Sequence, residues 1–226
     1  MVLIVGLTGG IACGKSTVTA RIRGSHRQPV VDLDELARRV VEPGRSAHKQ
    51  IVQHFGTEIL LSDGSLDRDA LAKRVFSDRS ARKAINSATH LPILRELLRD
   101  VAAARSSDGN DFVVLDAPLL FESSLHLMCD VCVCVHVSPE VQLERLQARD
   151  GLSRDDALAR VASQMPVASK MERSDYLIDN ESDQRTTHER VDACVTWLRA
   201  RAEERSLARA LRSALLWVAC FLLQFF

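Results

Sequence analysis

The run Gly9-Gly10-Ile11-Ala12-Cys13-Gly14-Lys15-Ser16 constrains this chain more than any other segment. It fits G-x-x-x-x-G-K-[ST] without a mismatch, and it follows the apolar, β-branched stretch Val2–Leu7. Such a stretch reads as a buried strand, and the residues from Lys15 to Arg23 read as a helix. A strand, a glycine-rich turn and a helix in that order make a cradle for phosphate. Glycine lets the backbone approach the anion closely, and the N–H groups of the helix start point at it. In this geometry Lys15 supplies a positive charge to the β- and γ-phosphates. The Ser16 hydroxyl is placed to ligate Mg²⁺, and Thr17 continues the first turn. Cys13 lies inside the loop, either as a small spacer or as a thiolate favoured by the helix start and Lys15.

The order of elements downstream predicts a parallel α/β sheet. A short strand, Pro29–Val31, leads into Asp32-Leu33-Asp34, and a helix follows over 35–41 until Glu42-Pro43-Gly44 stops it. Residues 46–107 read as mostly helical, with Ile51, Val52 and Phe55 on one face and Leu71, Val75 and Phe76 on another. Within it, 91–104 is amphipathic through Leu94, Leu97, Leu98 and Val101. Strands are expected at 112–115, 131–137 and 176–179, and helices at 140–149, 153–164 and 184–207. Ser153 is the expected N-cap of the second of these helices, and Ser138-Pro139-Glu140 the start signal of the first.

Composition narrows the class. The chain has 226 residues, and its thirty Lys and Arg balance its thirty Asp and Glu. A nucleic-acid binder ordinarily carries a basic excess, so that class is disfavoured. A hydrophobic fraction of 46% supports a real core. No basic segment precedes the first apolar run, so a signal peptide is not expected and the cytosol is the default compartment. The six cysteines are then expected as free thiols. Cys129, Cys132 and Cys134, with His126 and His136 nearby, resemble a metal set only superficially. A straight strand does not converge ligands tetrahedrally, so they are read as buried thiols.

Carboxylates and arginines separate a kinase from other phosphate-loop proteins. Asp34 stands at the end of the second strand, where ligands bind in such sheets. It serves there as a base for an attacking hydroxyl, as a magnesium-linked carboxylate, or as a helix cap. Asp116, after the third strand, reads equally as a magnesium-linked carboxylate or as part of a capped loop. Arg145 and Arg149 lie on a predicted helix. They are either phosphate-binding guanidiniums or ordinary exposed charges.

Longer runs are specific. Gly6-Leu7-Thr8-Gly9-Gly10-Ile11 is followed by Asp32-Leu33-Asp34-Glu35-Leu36-Ala37-Arg38-Arg39-Val40-Val41-Glu42-Pro43-Gly44. Then come Phe55-Gly56, Asp63-Gly64-Ser65-Leu66-Asp67-Arg68, Val75-Phe76, Pro118-Leu119-Leu120-Phe121-Glu122 and Ile178-Asp179-Asn180. Over residues 2 to about 200 this series resembles the dephospho-coenzyme A kinases. It differs in having Leu91 between His90 and Pro92, where that family has His directly before Pro. It also has Ser174-Asp175 where an Ala-Asp pair is common. The resemblance implies an α/β P-loop kinase, with a parallel five-stranded sheet flanked by helices, a helical substrate-binding insertion and a lid. On that basis 1–207 is the kinase domain. Its core is about 1–58, 110–144 and 171–207, its substrate lobe about 59–109 and its lid about 145–170. The implied reaction moves phosphate from ATP, with Mg²⁺, to the ribose 3′-hydroxyl of dephospho-coenzyme A. Asp34 is the implied base, Arg145 contacts the transferring phosphate, and Thr8 helps position the reacting groups. Arg149 and Asn180 belong to the nucleotide site. Two rival readings share the loop: a nucleoside or nucleotide monophosphate kinase, and a nucleotide-gated switch without catalysis.

The tail 208–226 is a separate feature. Ala214 to Leu223 is apolar throughout, and Arg201, Arg205, Arg209 and Arg212 precede it. The run is shorter than the ~20 residues that a spanning helix needs. Peripheral contact with a membrane, packing on the kinase body and association with another chain all remain readings of it.

Overall fold

The computed structural model describes residues 2–107 and 109–223, with the side chains of 73, 75–77, 79 and 207–223 excepted. The chain forms two compact units, residues 31–103 and the remainder.

The sheet has five strands in the order β2-β3-β1-β4-β5, and β1, β3, β4 and β5 belong to the larger unit. The strands are β1 (Leu3–Gly9), β2 (Val30–Asp32), β3 (Phe112–Asp116), β4 (Val131–His136) and β5 (Tyr176–Asp179). The β1–β3, β1–β4 and β4–β5 pairs are parallel, and the Val114 N–H donates to the Pro29 carbonyl at the start of β2. Every residue of β1 and β3 is buried. A parallel sheet covered on both faces needs such continuous apolar runs, which is why these strands show no polar alternation. On one face, Leu3, Val5 and Leu7 pack with Val18 and Ile22 of α1 (Lys15–Ser25) and with Val191, Val195 and Leu198 of α9 (Gln184–Leu223). On the other face Gly6 leaves room for Leu120 and Cys129, with no space for a Cβ. Cys132 and Cys134 are buried on β4.

The strand order reverses beside β1. The chain runs from β1 outward to β2, returns through β3, and then crosses to β4 on the other side. Ligands of open α/β sheets bind at the carboxyl ends of the strands at such a switch point. The Gly9–Ser16 turn occupies it.

Three more helices follow β4: α6 (Pro139–Asp150), α7 (Arg154–Ala162) and α8 (Val167–Glu172). Ser153 caps α7 by accepting from the Asp156 N–H. Ser138 precedes α6 without capping it, and its hydroxyl instead donates to Glu181. The six-residue α8 is too short for apolar periodicity to announce it. The backbone of α9 runs past residue 207 because neither Gly nor Pro interrupts 184–223. Among the described residues no helix is long and apolar enough to cross a membrane. The side chains of 208–226 lie outside the described residues.

The smaller unit is helical: α2 (Leu33–Arg39), α3 (Ser46–Phe55), α4 (Arg68–Ser77) and most of α5 (Arg79–Ser106). Its core gathers Ile51, Phe55, Ile59, Leu66, Leu71, Ala81 and Ala88. Asp67 caps α4 by accepting from the N–H groups of Asp69 and Ala70. Helix α5 takes Pro92 into its interior without ending. Leu97 and Val101 on α5 are buried as expected, but Leu98 is 50% exposed. A helix presents only one stripe to a core, and Leu98 falls outside it. Glu96 of α5 pairs with Arg39 and Arg45. A cavity of about 630 Å³ in this unit is lined by Arg38, Val41, Leu61, Leu66 and Arg68, among others.

Candidate active site

The phosphate loop takes its shape from two residues in the left-handed region, Ala12 (φ 61°) and Gly14 (φ 82°). Such turns point successive N–H groups into one concavity. At Gly14 only glycine fits on two counts. The dihedral disfavours a Cβ, and a Cβ built there overlaps the Asn180 side-chain amide. The Cys13 N–H closes the turn onto the Gly10 carbonyl at 3.2 Å, and the Thr17 N–H bonds the Gly14 carbonyl at 3.0 Å.

Side-chain amides from remote elements grip this loop. Gln142 of α6 donates to the Ile11 carbonyl at 2.9 Å, and Gln164 accepts from the Ile11 N–H at 3.1 Å. Asn180, just after β5, donates to the Cys13 carbonyl at 2.8 Å. Its amide oxygen accepts from the Thr187 hydroxyl at 2.7 Å, and its backbone carbonyl accepts from Arg145 at 2.9 Å. Both Gln142 and Asn180 are buried, so each bond forms out of competition with water. Ile11 and Ala12 also rest on the apolar cluster of Leu143, Leu146 and Ala157 from α6 and α7.

The loop opens on a cavity of about 360 Å³, lined among others by Gly10, Gly14, Lys15, Ser16, Arg145 and Arg149. Pro118 and Gln164 also line it. A neighbouring cavity of about 450 Å³ shares Ser16 and adds Thr17, Arg21, Gln184 and His188. The Lys15 ammonium is ion-paired with Asp116, whose side chain is only 5% exposed. Asp116 thus lies within reach of the loop lysine. Arg149 pairs with Asp150, which Arg160 of α7 also contacts.

Several residues predicted from sequence hold the site rather than line it. Thr8 is buried at the end of β1, and its hydroxyl donates to the Pro118 carbonyl at 3.1 Å. Asn180 braces the loop as described. Cys13 is fully buried, and burial pushes its thiol up. At neutral pH the thiol is therefore protonated, as the small-spacer reading requires. In the smaller unit Asp32 caps α2, accepting from the N–H groups of Asp34 (2.9 Å) and Glu35 (3.1 Å). The exposed Asp34 carboxylate is therefore not the cap.

The sequence reading missed Gln142, Gln164, Lys170 and Glu122. Lys170 is fully buried, donates to the Pro118 carbonyl at 2.6 Å and pairs with Glu122 at 3.0 Å. Only Glu122 carried a signal, as the last residue of the Pro118–Glu122 run.

A family model described as dephospho-CoA kinase matches residues 3–186. The chain belongs to the dephospho-CoA kinase family. Relatives in this family include the dephospho-CoA kinase of Saccharomyces cerevisiae, 45% identical over 197 residues, which are 85% of this chain and 81% of that protein. That of Carboxydothermus hydrogenoformans is 43% identical over 188 residues, covering 83% of this chain and 90% of the other. Among solved structures, a protein of Thermus thermophilus superposes with a TM-score of 0.73 at 35% identity, covering 86% of this chain and 96% of its own. The dephospho-CoA kinase of Campylobacter jejuni gives 0.67 at 25% identity, covering 87% and 96%. The loop, the sheet order and the Lys15–Asp116 pair therefore belong to an ATP-dependent kinase of this family.

Proposed function

We propose that this kinase transfers the γ-phosphoryl group of ATP to the ribose 3′-hydroxyl of dephospho-coenzyme A, giving coenzyme A. The observation that carries the reading is the braced loop between Gly9 and Ser16, opening on a cavity that Arg145 also lines. Phosphoryl transfer asks a protein mainly for positioning and charge stabilisation. The loop N–H groups and Lys15 hold the β- and γ-phosphates, with Lys15 exchanging Asp116 for phosphate oxygens. Arg145 is held by the Asn180 carbonyl and presents its remaining donors to the phosphate that moves. Asp34 takes the proton of the attacking hydroxyl. Thr8 acts through Pro118, fixing the loop that follows β3.

The residues present fit Mg²⁺. The Ser16 hydroxyl lines the cavity at the first turn of α1, and Asp116 adds a carboxylate beside Lys15, so both offer the hard oxygen ligands this ion takes. Held by Ser16 and Asp116, such an ion would supply neutralising charge to the bound phosphates.

The cavity of the helical unit suits the acceptor. Its lining joins the arginines Arg38 and Arg68 and the carboxylates Glu42, Asp67 and Asp69 to apolar Val41, Leu61 and Leu66, so the two guanidiniums would meet the phosphates and the apolar residues the uncharged chain. The tail 208–226 is read as a peripheral membrane contact, because its apolar run follows a series of arginines.

The test is a panel of acceptors incubated with Mg·ATP and read by mass spectrometry. Coenzyme A is expected as the preferred product. Preferential phosphorylation of adenosine or a nucleoside monophosphate would replace the reading with the nucleotide-kinase alternative.

A further inference from the structure

Lys170 is the one lysine or arginine buried among the described residues. Taking an ammonium out of water is costly unless its partners are close and well placed. Here both partners come from one short segment, the Pro118 carbonyl at 2.6 Å and the Glu122 carboxylate at 3.0 Å. Glu122 also accepts from the Met165 N–H at 3.0 Å. Thus both ends of the 165–170 segment are fastened to the loop after β3, one through a main-chain N–H and one through a buried charge.

That segment touches the phosphate loop directly. Gln164 accepts from the Ile11 N–H at 3.1 Å. A Cβ added to Gly10 would lie 2.5 Å from a Val167 methyl, so α8 is packed onto the loop backbone. The Pro118 carbonyl is shared, because the Thr8 hydroxyl donates to it from the end of β1. Pro118 and Gln164 both line the cavity of about 360 Å³. A continuous series therefore runs from Thr8 through Pro118, Lys170, Glu122, Met165 and Gln164 to Ile11. It starts at Thr8, just before the phosphate loop, and ends at Ile11, inside it. Burial pushes the Glu122 carboxyl up, but bonds from backbone N–H groups and from Lys170 outweigh it and leave the carboxyl below its usual range. Glu122 is therefore an anion at working pH, and the pair is ionic.

We propose that Lys170 and Glu122 form a latch that fixes Pro118 and Gln164 as walls of the nucleotide cavity, setting affinity for Mg·ATP rather than the rate of phosphoryl transfer. They are positioning residues and touch no reacting atom. A purely structural pair could be replaced by apolar side chains with no effect on affinity. A latch cannot, because only a long cationic side chain reaches a carbonyl and a carboxylate together.

The proposal rests on the kinase reading but is tested apart from it. Glu122→Gln keeps the side chain's shape and an acceptor oxygen while removing the charge. It should raise KM for Mg·ATP about tenfold, with kcat and KM for dephospho-coenzyme A within about twofold of the original. The double variant Glu122→Gln with Lys170→Met removes both charges and should recover much of any lost Tm. Its KM for Mg·ATP should stay high. Calorimetric titration of each protein with Mg·ATP gives the affinity directly and needs no acceptor. Original ATP affinity in Glu122→Gln would overturn the latch, and so would recovery of affinity together with Tm in the double variant. Absence of coenzyme A formation by the unaltered protein would sink the acceptor assignment and leave the titration able to judge the latch.

Discussion

Replacing Gly14 by alanine sets a methyl group where the Asn180 side-chain amide now lies. Two costs add. The left-handed dihedral of 82° is disfavoured by roughly 1–2 kcal/mol once a Cβ is present. Asn180 must also retreat, giving up its 2.8 Å bond to the Cys13 carbonyl and straining its 2.7 Å bond with Thr187. Two buried hydrogen bonds lost or weakened add about 2–3 kcal/mol. The sum is roughly 3–5 kcal/mol, a Tm decrease of about 6–20 °C for a chain of this length. Differential scanning calorimetry reads it. The diagnostic measurement is a double-mutant cycle with Asn180→Ala, which removes the group that collides. The two single losses should then fail to add by about 2 kcal/mol, because the second substitution costs little once the first is present. Additive losses, or a Gly14→Ala protein within about 1 kcal/mol of the original, would refute the collision and with it the role of Asn180 as a brace.

Asp34→Asn should lower kcat by about a hundredfold or more while calorimetric affinity for Mg·ATP stays within a fewfold, since general base catalysis is worth ~10²–10⁴. Near-original turnover would remove Asp34 as the base. Asp192 is pulled down to about 2, first by its paired bonds from Arg21 and then by His26, against opposition from burial. A folded pKa below the unfolded one means stabilisation that is complete above about pH 4 and lost as pH falls towards 2. Because Asp192 is 38% exposed, solvent screening reduces its worth to roughly 1 kcal/mol. Asp192→Asn should accordingly be less stable in urea by that amount at pH 7, with the gap closing below pH 4; a gap constant with pH would contradict the assignment. Removing residues 208–226 should shift the protein from vesicle-bound to free in a flotation assay with anionic lipid, and an unchanged distribution would end the membrane reading of the tail.

Local chemistry made most of the fold legible. The Val2–Leu7 run, the glycine loop and the Lys15 helix announce themselves in consecutive residues, and Ser153 caps its helix as its type demands. What stayed hidden was long-range. No spacing rule connects Gln142 and Gln164 to the loop, because each lies on a remote element and meets the loop only after the sheet has formed; Asn180 was expected at the nucleotide site, but not as a brace of the loop. Lys170 was hidden for a further reason. A lone lysine in a polar segment reads as exposed, and only the carbonyl and carboxylate of another loop make its burial tolerable. Asp32 and Asp34 illustrate a finer limit. Either aspartate is a good cap by composition, and the backbone direction at the end of β2 decides that Asp32 takes the role.

The Asn180 brace also orders events in time. It lies 167 positions beyond the Cys13 carbonyl it supports. A ribosome adding roughly 5–20 residues per second needs on the order of 10–30 s to span that interval. During it the first strand and loop exist without the side chain that completes their shape. The nascent chain thus completes the shape of its phosphate loop only after Asn180 has been added.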